Sequence, residues 1–298
     1  MILMKLLNSL PPFNFCGTEW VQFEKCKVVV LPVPYDSTAS YNPGARNGPH
    51  AIIQASRNME LYDEELGFSP ADIGIYTLDE LEPSMKSPED QVARVEEAVG
   101  EILEEKKFPV TLGGEHSISL GAVRAVCESF DDVSVLHLDA HADCRNEYEG
   151  TKYSHACAAR RFSELCPVIQ LGIRSLSAEE AEFLKGSEDV RTFFMKDIRK
   201  DGLELALERA IPELSDNVYI SFDIDALDPG IMPATGTPEP GGFGWYEALE
   251  ILRKVCEQKK VVGFDLVELS PIPGSPASDF LAAKLAYKFL GYEFKQGE

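Results

Sequence analysis

The chain has 298 residues, of which 44% are hydrophobic and 26% are charged. These values are typical of a globular protein and exclude disordered and fibrous classes. The 28 Lys and Arg residues against 50 Asp and Glu residues give a net charge of −22. This balance argues against nucleic-acid binding and favours metal ions or cationic small molecules as partners.

The seven cysteines are scattered and contain no C-x-x-C pair. This pattern is typical of a reducing compartment, so we expect a cytoplasmic protein. The N-terminal segment 1–12 is too short, and too soon broken by Pro11 and Pro12, for a signal peptide. Since no apolar run has the length of a membrane span, we expect no membrane partner. The length of the chain is within the range of single α/β domains, so we expect one domain over residues 1–298.

Short β-branched, apolar runs alternate along the chain with amphipathic stretches. Runs that are apolar on both faces are typical of a parallel sheet covered by helices. Ser87 at the N-cap and Pro88 at the first helical position mark one helix start. We predict strands over residues 27–33, 72–78, 108–114, 133–139, 167–173, 189–194, 217–223 and 260–266, and helices over 46–61, 87–107, 117–130, 177–186, 202–213, 246–259 and 276–291. Periodicity alone leaves open a closed barrel or an open sandwich.

Polar side chains follow four of the eight apolar runs, at the strand ends where parallel sheets bind ligands. Because side chains alternate in extended chain, Asp139, His141 and Asp143 share one side, and so do Asp223 and Asp225. The four segments are "TLGGEHS" (111–117), "HLDAHADCR" (137–145), "SFDIDALDP" (221–229) and "DLVELSP" (265–271).

Four converging aspartates would repel one another unless a cation balanced them. Two divalent ions would do so, with His116 and His141 as imidazole ligands. Oxygen and imidazole ligands without thiolate favour manganese, with zinc as the alternative. Each segment alone is weak evidence, because D-x-D also caps turns, and Asp228-Pro229 fits a turn start. Their joint occurrence indicates a metal site.

Three of these segments resemble the three signatures of the ureohydrolase family, the arginases and agmatinases. The third signature is "SFDIDALDPGIMPATGTPEPGG", residues 221–242. The resemblance implies an α/β fold, a three-layer α/β/α sandwich around an eight-stranded, mainly parallel sheet. It also implies a homo-oligomer, a trimer or hexamer, and two manganese ions per chain. The implied ligands are His116 and Asp143 on one ion, His141 and Asp225 on the other, and Asp139 and Asp223 as bridges.

The implied reaction is hydrolysis of a guanidino group. Water that bridges two cations loses a proton near neutral pH, and the hydroxide attacks the guanidinium carbon, expelling an amine and leaving urea. Asp143 is expected to orient the hydroxide. His155, in "YSHACAARR", resembles the proton-shuttling histidine of the family, and Glu268 resembles the glutamate that pairs with the substrate guanidinium.

The two other histidines are given structural roles. His137 lies inside a predicted strand, where we expect it to pack. His50, in "GARNGPHAI", is expected on an early helix or loop near the site.

The substrate is less well defined by the sequence. Arg145 and the residues before His155 depart from the pattern with which arginases read the amino-acid head of arginine, whereas "GTPEPGG", with Glu239, is similar to the agmatinase loop. We therefore predict cleavage of agmatine to putrescine and urea. Aminopropyl-agmatine fits the same chemistry, and an inward-pointing Arg145 would suit 4-guanidinobutyrate.

Two other classes of function stay open. A single-zinc deacylase of the related fold would leave His116 and a second aspartate unused. A non-catalytic binding protein would require lost ligands, and all six positions are intact.

Overall fold

The computed structural model describes residues 10–295. Most of the N-terminal segment considered for a signal peptide therefore lies outside the described residues. Between residues 10 and 295, none of the helices combines the length and the apolar character that crossing a membrane requires.

Eight parallel strands form one open sheet, which confirms the predicted fold class and excludes the barrel. The strands are β1 (Val28–Val33), β2 (Ile75–Thr77), β3 (Phe108–Gly113), β4 (Val133–Leu138), β5 (Val168–Ile173), β6 (Val190–Phe194), β7 (Asn217–Asp223) and β8 (Lys260–Val267). Their order across the sheet is β2-β1-β3-β8-β7-β4-β5-β6. The carboxyl end of every observed strand lies within one residue of the predicted end. The polar residues follow these carboxyl ends.

Nine α-helices cover the two faces of the sheet in the described part of the chain. They are α1 (Gly48–Ser56), α2 (Pro88–Glu104), α3 (Ser119–Ser129), α4 (Ala158–Phe162), α5 (Ala178–Gly186), α6 (Met195–Asp201), α7 (Leu203–Ala210), α8 (Trp245–Gln258) and α9 (Ala277–Glu293). The seven predicted helices are all present, and the Ser87 hydroxyl accepts a hydrogen bond from the Asp90 amide as expected. The short helices α4 and α6 were not predicted.

Side chains of the central strands alternate between two separate cores. In β1, Val28 and Val30 belong to the core that also contains residues of α1 and of α6 to α9, whereas Val29 and Leu31 belong to the core that contains residues of α2, α3 and α4. Both faces of the sheet are therefore buried, which explains why the strands read as continuous apolar runs. The result is the three-layer sandwich.

The four polar segments follow the four central strands β3, β8, β7 and β4. In the strand register Leu138 lies beside Phe222, so Asp139 and Asp223 leave the sheet as neighbours. Asp223 in turn lies beside Val267, which places Glu268 on the other side of β7. The sheet thus brings residues far apart in sequence to one edge.

A buried lysine ties α9 to the loop after α1. Lys288 Nζ lies 3.0 Å from Asp63 Oδ1 and 2.5 Å from Glu65 Oε2, and the Tyr292 hydroxyl donates to the same Glu65 oxygen at 2.8 Å. Burial opposes ionisation of Glu65, but hydrogen bonds from Lys288 and Tyr292 outweigh it and lower the pKa of Glu65.

We expect Lys288→Met to lower the free energy of unfolding by about 3 kcal/mol, because it removes the cation that pairs with the buried Asp63 and leaves only the backbone amides of Glu65 and Leu66 as its donors. Urea denaturation at neutral pH measures the loss. Lys284→Met, one turn earlier on α9, is the matched control and should cost less than about 1 kcal/mol. Equal losses in the two variants would contradict a special role for Lys288.

The pH dependence of the Lys288–Glu65 ion pair follows from the lowered pKa of Glu65. Its stabilisation is fully present above the ordinary glutamate pKa and is lost as the pH falls through the lower folded-state pKa. The stability difference between the wild type and Lys288→Met should therefore shrink on acidification below pH ~4.

Candidate metal centre and active site

The first polar segment begins with a close approach of two backbones. A Cβ atom on Gly114 would lie 1.8 Å from the Tyr35 carbonyl oxygen, so only glycine fits there. The Gly114 carbonyl accepts a hydrogen bond from the Glu268 amide at 2.7 Å, which ties the ends of β3 and β8 together. His116 follows immediately and is fully buried.

Three aspartates each use one carboxylate oxygen to bind a backbone amide. Asp139 Oδ1 accepts the amide of His141 at 2.6 Å, and Asp223 Oδ1 accepts the amide of Asp225 at 2.8 Å. Asp225 Oδ1 accepts the amide of Ala140 at 3.0 Å, which crosses between the ends of β4 and β7. The second oxygens are thereby oriented toward the histidines.

The six predicted metal ligands come together in two groups. In the first, His116 Nδ1 lies 3.2 Å from Asp139 Oδ2 and 3.1 Å from Asp223 Oδ2. Asp143 Oδ2 is 3.3 Å from the same nitrogen. In the second, His141 Nδ1 lies 2.9 Å from Asp225 Oδ2 and 3.6 Å from Asp139 Oδ1. Asp139 belongs to both groups.

A buried hydrogen-bond chain decides which nitrogen of His116 faces the carboxylates. The Ser221 hydroxyl donates to Asp265 Oδ1 at 2.9 Å, so it can only accept at its 3.0 Å contact with His116 Nε2. Nε2 therefore carries a proton. Nδ1, surrounded by three carboxylates, is the position that takes either a second proton or a metal ion.

The charges of the cluster are unbalanced without a cation. Burial and the charge of Asp139 raise the pKa of Asp143 well above its usual range, and burial and Asp225 do the same to the pKa of Asp223. Burial opposes the charged form of His116, but hydrogen bonds with Asp139 and Asp223 raise its pKa well above the ordinary value. All three shifts favour the protonated forms of these side chains, and a metal ion that bound here would displace their protons.

The two atoms Asp139 Oδ2 and His137 Nε2 support the same conclusion. Both atoms are buried and lie 2.9 Å apart, and Asp139 Oδ2 is also 3.2 Å from His116 Nδ1. A buried carboxylate oxygen flanked by two imidazole nitrogens is a suitable ligand for a divalent cation. The donor set thus fits a pair of divalent metal ions.

His137 lies in β4 and is buried, as predicted, but it is also part of the site. The Gln170 amide donates to His137 Nδ1 at 3.0 Å and to the Ala142 carbonyl at 2.7 Å, which turns Nε2 toward Asp139. Sequence reasoning missed this contact. The available signal was the alternation, since His137 falls on the same side of the chain as Asp139.

Arg174, just beyond β5, was not singled out from the sequence. Its guanidinium donates to the carbonyl oxygens of Asp225 at 2.6 Å and Glu239 at 2.9 Å, and also to those of Gly172 and Leu227. It therefore fixes the loop that carries the third polar segment. The Glu239 loop, which suggested an agmatinase, is held through this arginine.

A groove of about 250 Å³ opens over the cluster and includes His141, Asp143 and His155. Burial, together with the nearby His116 and His141, lowers the pKa of His155 to about 4, so its imidazole is neutral at physiological pH. His155 thus lies where a proton-transfer group is expected.

Two site residues have backbone φ angles in the left-handed region that non-glycine residues rarely adopt: Asp143 at +49° and Glu268 at +65°. Glu268 Oε1 accepts the His116 amide at 2.7 Å. Burial and the neighbouring Glu115 raise the pKa of Glu268 to about 8. His50 lies on the early helix α1, as expected, but it is exposed and packs its ring 4.6 Å from that of Phe13.

Arg145 lines the groove and is paired with an acid. Its Nε lies 3.9 Å from Glu180 Oε2, and its guanidinium carbon is 5.0 Å from the centre of the Tyr148 ring. Glu180 is held in turn by the Cys144 amide at 2.9 Å and the Ser177 amide at 2.7 Å. Glu180 therefore offsets part of the charge of Arg145 within the groove wall.

Comparison with known proteins agrees with this geometry. The Arginase family profile matches residues 26–291. The chain belongs to the arginase family. This membership confirms the resemblance read from the three signatures and the expected enzyme class, a hydrolase of C–N bonds in linear amidines.

Individual relatives match along most of their length. The N(1)-aminopropylagmatine ureohydrolase of Synechocystis sp. is 40% identical over 289 residues, covering 94% of each chain. The agmatinase of Pyrococcus horikoshii is 34% identical over 274 residues, covering 91% of this chain and 93% of its own. The crystal structure of the agmatine ureohydrolase of Thermoplasma volcanium superposes with a TM-score of 0.85 at 35% identity, covering 97% and 96%.

We expect Ser221→Ala to weaken manganese binding by about 10- to 100-fold, because the His116 Nε2 proton loses its acceptor and the ring its orientation. Equilibrium dialysis followed by metal analysis measures the affinity. Ser134 lies at the amino end of β4, away from the metal site, and its hydroxyl accepts the Ser215 amide. Ser134→Ala should therefore leave the manganese affinity unchanged. Equal effects of the two substitutions would contradict the orienting role of Ser221.

Proposed function

We propose that the chain is a two-manganese hydrolase of a carboxylate-free guanidino substrate, with N(1)-aminopropylagmatine as the preferred substrate. The observation that carries the proposal is the convergence of two histidines and four aspartates at one sheet edge beneath an open groove. The higher identity to a relative named for aminopropylagmatine moves that compound ahead of agmatine, the substrate predicted from the sequence. Agmatine is the second candidate, favoured by the close match to the Thermoplasma structure.

We assign the metal ligands as the sequence suggested. His116 and Asp143 would hold one ion, His141 and Asp225 the other, and Asp139 and Asp223 would bridge. The sharing of Asp139 between the two groups supports the bridging role. When bound, the two ions supply Lewis-acid activation of water near neutral pH.

The protein groups around the cluster bind the substrate and move protons. In the overall reaction, R–NH–C(NH2)2⁺ and water give R–NH3⁺ and urea, and both water protons end on the leaving nitrogen. Asp143 would orient the attacking water by accepting one of its hydrogen bonds. Neutral His155 can take up one proton and pass it to the leaving nitrogen as the C–N bond breaks.

Glu268 would bind the substrate guanidinium. One of its oxygens is occupied by the His116 amide, and a planar cation can pair with the other. The proximity of a positive guanidinium would also favour the ionised carboxylate, offsetting the burial that raises the pKa of Glu268.

The pairing of Arg145 with Glu180 supports a cationic rather than an anionic substrate tail. A free arginine in the groove would attract a carboxylate, but Arg145 lies 3.9 Å from an acid held by backbone amides, which offsets part of its charge. The overall charge of −22 adds a weak long-range attraction for a polyamine.

A urea-release assay with added manganese tests the choice of substrate. We expect kcat/KM to be highest for N(1)-aminopropylagmatine and next for agmatine, and at least about tenfold lower for 4-guanidinobutyrate and arginine, which bring a carboxylate into an acidic groove. Fastest release from arginine would contradict the proposal. Activity on acyl-lysine substrates with one zinc per chain would favour the deacylase instead.

Asp223→Ala should abolish manganese binding and turnover together, because Asp223 is placed as a bridge between the ions. Metal content and urea release are measured on the same samples. Asp216→Ala, at an exposed position just before β7, is the control and should retain both. Full activity of Asp223→Ala would exclude the assigned metal centre.

Glu268→Gln should raise KM for the guanidino substrate by about tenfold or more, since a charged hydrogen bond becomes a neutral one. Its manganese content should stay near that of the wild type, because the glutamine oxygen can still accept the His116 amide. Unchanged substrate affinity in Glu268→Ala or Glu268→Gln would contradict the role of Glu268.

A further inference from the structure

Glu115 is a buried carboxylate that the metal scheme does not use. Its Oε2 accepts the Thr38 amide at 2.7 Å, and its Oε1 accepts the Ser117 hydroxyl at 2.6 Å. The Thr38 hydroxyl lies 2.7 Å from the same Oε1. Three donors from two segments therefore converge on this one acid, which fixes the position of Thr38 beside the groove.

The Thr38 hydroxyl connects Glu115 to His155. Its oxygen accepts the His155 backbone amide at 3.0 Å and lies 3.2 Å from His155 Nδ1. A hydroxyl has one proton, and here Glu115 receives it, so Thr38 can only accept from the imidazole. Nδ1 must then be the protonated ring nitrogen.

The other ring nitrogen of His155, Nε2, faces the groove. His155 Nε2 lies 3.3 Å from the Ser40 hydroxyl, which lines the groove together with His155. With the proton fixed on Nδ1, Nε2 carries the lone pair of the neutral ring. It is therefore the nitrogen that can accept a proton at the groove.

We propose that Thr38, anchored by Glu115, is a positioning residue that holds His155 in the Nδ1–H tautomer and presents Nε2 as the proton-transfer atom. In the reaction, Nε2 takes one proton derived from water and gives it to the leaving nitrogen as the C–N bond breaks. His155 then returns to the neutral Nδ1–H form. The catalytic consequence rests on the proposed function, whereas the tautomer does not.

Ser154 is the competing partner for the imidazole. Its hydroxyl oxygen lies 3.4 Å from His155 Nδ1, farther than that of Thr38. Ser154 thus provides a matched control, because it offers the same nitrogen a hydroxyl that Glu115 does not anchor.

The tautomer can be read directly by ¹⁵N NMR of the histidine-labelled enzyme loaded with diamagnetic zinc. The chain has five histidines, and a His155→Gln sample assigns the signal of interest. We expect protonated Nδ1 and unprotonated Nε2 for His155 in the wild type and in Ser154→Ala. Thr38→Val should lose this preference, and Thr38→Ser should keep it.

Glu115→Gln is a second, independent variant. The glutamine amide can donate to Thr38, which frees the threonine hydroxyl to donate to Nδ1 and shifts the proton to Nε2. This reversed tautomer is expected in Glu115→Gln even if Thr38→Val does not fold. An Nε2–H tautomer in the wild type, or an unchanged Nδ1–H tautomer in both variants, would overturn the proposal.

Kinetics of the manganese-loaded enzyme provide the functional readout. We expect Thr38→Val to lower kcat by about 10- to 100-fold with KM within about threefold of the wild type, and Thr38→Ser to restore most of kcat. Metal content, measured on the same samples, should not change. If the wild type released no urea from any guanidino compound, the proposed function would fail while the NMR result still decided the role of Thr38.

Discussion

Repulsion among buried carboxylates is the constraint on which the rest of the site depends. Asp139, Asp143 and Asp223 each direct an oxygen at one nitrogen of His116, out of contact with bulk water. Such a cluster is unstable as a set of free anions, and protons or cations must balance it. Hydrogen bonds from the backbone amides and to the Ser221 hydroxyl orient the other carboxylate oxygens and His116 Nδ1 toward the centre of the cluster. This arrangement favours a pair of metal ions as the balancing charge.

The parallel sheet provides the stability that holds this cluster together. The central strands are buried on both faces, so their hydrophobic cores hold the strand ends in register while polar residues appear only after the last apolar position. Asp139 and Asp223 follow neighbouring strands, β4 and β7, whose register is regular from Val133–Asn217 to Leu138–Phe222. Within the site, the left-handed residues Asp143 and Glu268 lie in the loops that follow the strands.

Much of this arrangement could be predicted because it follows local rules. The eight strands, the seven longer helices and the convergence of the six candidate ligands follow from apolar runs, alternation and the meeting of parallel strand ends. The short helices α4 and α6 have too few residues for a periodic pattern. Arg174, which binds carbonyls about 50 to 65 residues away, and Thr38, which contacts His155 from 117 residues away, depend on long-range contacts that no local pattern encodes.

The most direct test of the two-metal centre is X-ray diffraction from crystals grown with manganese, with anomalous maps recorded at the manganese edge. Two peaks per chain are expected, one beside His116 and one beside His141, with Asp139 and Asp223 in contact with both. A single peak, or peaks elsewhere in the protein with protonated carboxylates left in the cluster, would contradict a binuclear centre at this sheet edge.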